Sequence, residues 1–244
     1  MSSPYAYEDG PDLAALAALL ADRTRAAFCL ALLDGRAWTA AELARHAGVA
    51  PSTATGHLHR LVAGGLLTEE RRGRHRYVRL AGADTAEMIE SLASHAPYRP
   101  TPVRSLTDAH RRRALARART CYDHLAGALG VAVTDAMTQR GYLDWHHGPA
   151  LTAEGLRWLR ETGVADDRPA GSRRPHVRTC LDWTERRDHL AGALGAALFR
   201  HGLDAGWLTV RTGSRIVRVT EAGAEALHTL LDLPDTLDTA VTSA

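Results

Sequence analysis

The sequence predicts a mainly α protein with small β-hairpins, α+β in class. Three observations carry this. Residues 39–80 read as helix, tight turn, helix and then an arginine-rich hairpin. Apolar residues recur at helical spacing through much of the second half. And one phrase occurs twice, as RTCYDHLAGALG at 119–130 and as RTCLDWTERRDHLAGALG at 178–195. A chain of 244 residues is comfortable for two domains. We expect a first domain over 1–96 and a mostly helical second over 97–244, the latter built from two degenerate repeats at 105–164 and 178–231.

From Asp12 to Leu33, Leu13, Leu16, Leu20, Phe28 and Leu32 mark a helical stretch that Gly35 stops. Thr39 followed by Glu42 is a capping box that opens a short helix with Leu43 on its buried side. Gly48-Val49 make the turn, and Pro51 suits the first position of the next helix. Ala54, Leu58, Leu61 and Val62 form that helix's apolar face, and Gly64-Gly65 end it. LLTEERRGRHRYVRL, residues 66–80, alternates on either side of Arg72-Gly73-Arg74 as a two-stranded hairpin. A helix over 85–95 precedes a proline-rich linker, 96–105.

A long helical pattern then runs from Thr107 to Arg140. Its seam of Leu115, Ala118, Tyr122, Leu125, Leu129, Ala132 and Ala136 suits a partner helix, from this chain or a second subunit. ADDRPAGSRRPHV, 165–177, separates the two copies. Past the repeated phrase, residues 141–159 align loosely with 206–227: a strand, a turn and Thr-x-x-Gly opening a helix. The second half therefore reads as two helix–hairpin–helix units.

Composition narrows the classes. No apolar run approaches the roughly 18 residues needed to cross a bilayer, and MSSPYAYEDGPD is too acidic for a secretory signal. Three cysteines argue against a disulfide framework and for a reducing cytoplasm. All 30 basic residues are arginine, as in GC-rich bacterial coding. The net charge of +2 implies no polyanion partner by itself. Residues 1–96 hold 10 Arg against 11 Asp and Glu, a net of −1, so any nucleic-acid footprint there is local.

The second helix supplies one. Opposite its apolar face stand Ser52, Thr53, Gly56, His59 and Arg60, with Thr55 and His57 in the same helix. Short polar side chains at a helix N-terminus meet base edges and phosphates without conflict, and Gly56 permits close approach. The hairpin adds Arg71, Arg72, Arg74, Arg76 and Arg79, a ribbon suited to phosphates or a minor groove.

Residues 20–80 resemble the winged-helix domain of the ArsR/SmtB family of bacterial transcriptional regulators. The marks are Ala21-Asp22-x-Thr24-Arg25, Glu42-Leu43-Ala44, Thr55-Gly56-His57-Leu58-x-x-Leu61-x-x-x-Gly65-Leu66, then Gly73 and Tyr77. The resemblance implies a homodimer that represses its promoter and leaves double-stranded DNA when an effector binds. It departs where metal-sensing members carry a Cys-x-Cys-type pair, since this chain has Glu42-Leu43-Ala44-Arg45 there. Nor does Glu87–His95 match the acid-and-histidine site of the zinc and nickel sensors. Cys29, on an apolar helix face, reads as a buried structural thiol.

The repeated phrase leaves several readings open. Cys121 and His124, three apart on the predicted helix, share a face. Asp182-Trp183-Thr184-Glu185 is a helix N-cap pattern, which would put Cys180 just ahead of a helix N-terminus between Arg178 and Arg186, with a lowered pKa. His189 lies one turn beyond Glu185. The small residues of Leu-Ala-Gly-Ala-Leu-Gly let helices approach closely. If the copies pack about a local two-fold, Cys121, His124, Cys180 and His189 make a tetrahedral zinc-type set, although their spacings of three and nine differ. A small-molecule effector held around Trp183, Trp145 and Arg186 is favoured over metal, and the plainest reading is two packed helices with buried thiols and satisfied histidines. His146-His147 read as exposed turn residues. A thiol enzyme using Cys180, His189 and Asp182 has only residue types in its favour. The expected function is a one-component regulator, a dimer on an inverted-repeat operator, with no membrane partner. Its alternative is a DNA-binding regulator whose second half only dimerises.

Overall fold

The computed structural model describes residues 10–73, 75–97, 105–165 and 174–234. Contacts divide the chain into two units, 1–85 and 86–244. This division falls before residue 96, inside helix α5 (Ala83–His95), because Glu87 and Glu90 of that helix bond to arginines of the second unit.

In the first unit the stretch 12–33 is two helices, α1 (Leu13–Leu20) and α2 (Arg23–Leu32). Asp22 makes the break by accepting the Thr24 and Arg25 backbone N–H groups as the cap of α2. Arg25 then turns back and donates to the Leu19 and Ala18 carbonyls at the end of α1. After β1 (Trp38–Thr39), α3 (Ala40–Ala47) opens on the expected capping box between Thr39 and Glu42. Gly48, left-handed at φ 72°, turns the chain into α4 (Pro51–Ala63). The hairpin is β2 (Leu67–Arg72) and β3 (His75–Leu80), with β1 added antiparallel to β3. Phe28, Leu32, Leu43, Leu58, Leu61 and Val78 fill the core between helices and sheet.

The second unit continues with α6 (Leu106–Arg117), β4 (Arg119–Cys121), β5 (His124–Ala126), α7 (Gly127–Gln139), β6 (Leu143–Asp144), β7 (Ala150–Leu151) and α8 (Ala153–Glu161). It then repeats itself as β8 (Arg178–Leu181), β9 (Asp188–Ala191), α9 (Gly192–Asp204), β10 (Leu208–Val210), β11 (Val217–Val219) and α10 (Glu221–Leu231). Each copy is hairpin, helix, hairpin, helix.

The expected long helix over 107–140 is thus broken by a hairpin at 119–126. The repeated phrase folds as strand, turn and strand before its helix begins. Gly127 makes that transition at φ +80°, where a Cβ would lie 2.6 Å from the Ala116 carbonyl oxygen. Gly192 does the same at φ +83°, with the His176 carbonyl oxygen 2.7 Å from such a Cβ. The seam residues Leu115 and Ala118 are buried, and Leu129 and Ala136 join one core with Met137, Trp158, Leu190 and Leu194, supplied by both copies. The packing is reciprocal: α7 lies against β9 and α9 against β5.

Candidate functional site

On α4, Ser52, Thr53, Thr55, Gly56, His59 and Arg60 are exposed. The Thr55 hydroxyl donates back to the Pro51 carbonyl, as helical threonines do. His57 differs from its neighbours. It turns inward, edge-on to Phe28, 3.5 Å from Arg25 and 3.7 Å from Asp22, so it fastens α4 to α2 instead of facing outward. On the hairpin, Arg71 and Arg72 are exposed and Arg72 pairs with Glu70 at 2.9 Å. Arg76 pairs with Glu69 and contacts His59 Nε2 at 3.1 Å, tying the hairpin to the helix before it. Arg74 lies outside the described residues.

The two copies of the phrase meet. Cys121 pairs with His124 across β4–β5, and Cys180 pairs with His189 across β8–β9. The spacings of three and nine therefore mark one cross-strand position twice; only the connecting turn differs in length. Cys121 and His124 do not share a helix face, as the broken helix makes impossible. A thiol or ring nitrogen from each of the four residues lies within 4.8 Å of the others. The two Sγ atoms are 3.9 Å apart and the two Nε2 atoms 3.1 Å. The imidazoles stack at 5.1 Å between centroids, and both rings are 1% exposed. Gly130 and Gly195 lie against these rings, and a Cβ there would meet the Leu125 and Leu190 carbonyl oxygens at 2.5 and 2.6 Å.

The thiols are unequal. Their mutual contact and burial push Cys121 up to about 12. The same contact lowers Cys180, against burial and with help from the Arg178 charge. Cys180 is also the less buried of the two. Cys29 stands apart in α2, raised to about 11 by burial, as a structural thiol should be.

Beside the cluster lies a charged network. Arg119, 1% exposed, donates to Glu90 Oε1 at 3.1 Å, Asp182 Oδ2 at 2.9 Å and Thr184 Oγ1 at 3.2 Å. Arg215 holds the other oxygen of Glu90 at 2.6 Å. Asp182 also accepts the Gly127 N–H at 2.7 Å, joining the second hairpin to the start of α7. It takes the Thr184 and Glu185 N–H groups as a cap would, yet no helix follows; α9 starts at Gly192. Burial works to raise the Asp182 pKa, but Arg119 and these donors hold it at about 2. Trp183 covers the Arg119 guanidinium at 5.1 Å and donates to Glu90. Arg186 reaches the Ala96 carbonyl, and Glu185 is partly buried in the turn.

Trp183 and Arg186 thus serve α5, while Trp145 bonds to Thr138. An apolar pocket does exist in this unit, walled by Leu125, Val133, Trp158, Leu198, Trp207 and Leu231. His146 and His147 are exposed, as expected.

Sequence reasoning passed over Arg119 and Asp123, read Arg178 only as a charge near Cys180, and read Asp182 chiefly as a cap. Arg119 and Arg178 occupy the same place in the repeated Arg-Thr-Cys. Both hold α5, Arg119 through Glu90 and Arg178 through Glu87 at 3.0 Å. Their identical position in both copies was the available signal.

A helix-turn-helix domain model matches residues 20–70. An uncharacterised HTH-type transcriptional regulator of Bacillus subtilis, YdfF, is 38% identical over 226 residues, covering 91% of this chain and 98% of the relative. Among solved structures, the cadmium metal-sensor CMTR from Mycobacterium tuberculosis is similar at 32% identity, over 38% of this chain and 99% of its own, with a TM-score of 0.31. The homodimeric winged helix-turn-helix DNA-binding domain of Mb0332 from Mycobacterium bovis is similar at 26% identity, over 37% and 86%, with a TM-score of 0.31.

Proposed function

The chain belongs to the ArsR-type winged helix-turn-helix transcriptional regulators, and on that premise we propose that it binds an inverted-repeat operator as a dimer, represses there, and is released by an effector taken up in its second unit. Such a regulator works in the cytoplasm. In this reading Ser52, Thr53, Gly56, His59 and Arg60 of α4 enter a major groove, and Arg71, Arg72 and Arg76 contact the backbone beside it.

The observation that carries the sensing role is the meeting of the two Cys/His pairs, with the arginine of each Arg-Thr-Cys gripping α5. That helix begins at Ala83, directly after the β3 strand of the DNA-binding unit. An effector that moves either hairpin shifts Arg119 or Arg178, and through them Glu90 or Glu87. Release requires only a few kcal/mol of differential affinity between DNA-competent and DNA-released forms.

The test is a gel shift of the full-length protein on its operator, with and without a protein-free extract of the host cells. The wild type should release DNA in the extract. Cys180→Ser and His189→Ala variants should dimerise and bind the operator normally but fail to release it. Variants that respond like the wild type would make the repeat a scaffold and end the sensing reading.

A further inference from the structure

The geometry points to a closed, four-coordinate site for one zinc-class divalent cation, held by Cys121 Sγ, Cys180 Sγ, His124 Nε2 and His189 Nε2. The inference rests on the reading of this cluster as the sensing site and names what the site takes.

The first argument is distance. A tetrahedral zinc with sulfur at about 2.3 Å and nitrogen at about 2.0–2.1 Å sets its sulfurs about 3.8 Å apart and its nitrogens about 3.3 Å apart. The cluster has 3.9 Å and 3.1 Å. Two opposite edges of such a tetrahedron are thus in place, and the thiol–imidazole separations are all within 4.8 Å.

The second argument is the hydrogen-bond ledger of the imidazoles. Both Nδ1 atoms are buried without a hydrogen-bond partner. His189 Nδ1 lies 3.5 Å from Asp182 Oδ2, and His124 Nδ1 lies 3.6 Å from Asp123 Oδ1. Two neutral rings facing each other through Nε2 share a single proton, which leaves at least one Nδ1 without a proton to offer its carboxylate. A cation between the rings takes both Nε2 lone pairs. Each Nδ1 then carries a proton and donates it to its aspartate, the carboxylate–histidine–metal arrangement that orients such ligands. The aspartates are themselves held: Asp182 by Arg119, and Asp123 by Arg174 at 2.6 and 2.8 Å. Each imidazole thus faces a carboxylate that an arginine holds in place.

The third argument is ligand chemistry. Two thiolates and two imidazoles suit zinc, cobalt or cadmium and not magnesium or calcium, which seek oxygen. Two thiolates also neutralise a dication, which suits a buried place. A disulfide between Cys121 and Cys180 is the rival use of this pair, but it gives the stacked histidines nothing to bind and leaves the Nδ1 atoms as they are.

The experiment uses the full-length protein, reduced, stripped with a chelator and titrated anaerobically with Co(II). We expect saturation at one cobalt per chain, with the visible bands of tetrahedral cobalt and a thiolate-to-cobalt charge-transfer band. Zinc should bleach both. Cys180→Ser should lose about half the charge-transfer intensity. Asp123→Asn, which alters a partly exposed carboxylate that is not a ligand, should keep the spectrum and weaken binding by about 10–100-fold. Octahedral cobalt bands, or no thiolate band in a folded, reduced protein, would overturn the site. So would Asp123→Asn and Cys180→Ser titrating like the wild type. A parallel gel shift with zinc separates the two readings: tetrahedral binding without any change in operator affinity keeps the metal site and removes its sensing role.

Discussion

Arg119 shows what a buried charge needs. It is enclosed by Glu90, Asp182, Thr184 and the face of Trp183, so its removal strands two carboxylates in the interior. Arg119→Met should cost about 3–5 kcal/mol, seen as a lower midpoint in urea unfolding. A loss below about 1 kcal/mol would mean the network relaxes around water. Glu90 gives the pH dependence. Burial pushes its pKa up, but Arg215 and Arg119 outweigh that and leave it lowered. A lowered native pKa stabilises the fold fully above the unfolded value of about 4.3, and this stabilisation is lost as pH falls through the native value. Glu90→Gln should therefore flatten the acid limb of the stability curve below about pH 4.5 while lowering the neutral plateau. An unchanged acid limb would refute this. In the sequence, Asp182 could be read as a cap because its short-range donors are local, and it does accept from those N–H groups. That it also binds Arg119, 63 residues away, is a long-range fact that no spacing discloses.

At the scale of elements, the DNA-binding unit could be read almost whole because its punctuation is local: the Thr39/Glu42 box, the Gly48 turn and Pro51 at the head of α4. His57 was the exception, since a single polar residue in an exposed turn of α4 gives no hint of Asp22 and Arg25 behind it. The hairpins at 141–159 and 206–227 were legible, but those inside the repeated phrase stayed hidden because strands such as Arg119–Cys121 are too short for alternation to compete with helical spacing on both sides. Only Ala-Gly-Ala, present in both copies, marked the place. Gly127→Ala should cost more than the usual 1 kcal/mol, because a left-handed backbone and a backbone oxygen oppose the methyl group together. Thermal melts check this, and a melting temperature equal to wild type would contradict the strand-to-helix turn. On DNA the helix and the hairpin should separate. Arg60→Ala or Thr53→Ala should alter sequence preference, losing about 1–3 kcal/mol at one base pair. Arg72→Ala should weaken all sequences alike and lower the salt slope by about one. Equal losses on operator and random DNA for both classes would place the sequence-reading surface elsewhere.

For the whole molecule the open quantity is the number of chains on DNA. One chain carries one α4, and an inverted repeat presents two half-sites about one helical turn apart. Of the broken seam over 107–140, Leu115, Ala118 and Leu129 are spent inside the second unit of one chain. Another element is better suited. Helix α1, LAALAALL, is apolar along its length yet buries no residue fully, and Leu13 is 72% exposed. An apolar helix that the described residues leave largely exposed is the kind of surface a partner covers, and a second copy of the same helix is the symmetric way to do so. We therefore expect the wild type to sediment as a dimer at micromolar concentration. Leu13→Glu combined with Leu16→Glu should shift it to monomer. The same variant should bind a single half-site as weakly as the wild type does and lose the extra affinity of the full operator, since linking two modules raises affinity about 10²–10⁴-fold. A monomeric wild type that still binds the operator tightly would sink dimeric recognition. A double variant that remains a dimer would keep dimeric recognition and move the contact away from α1.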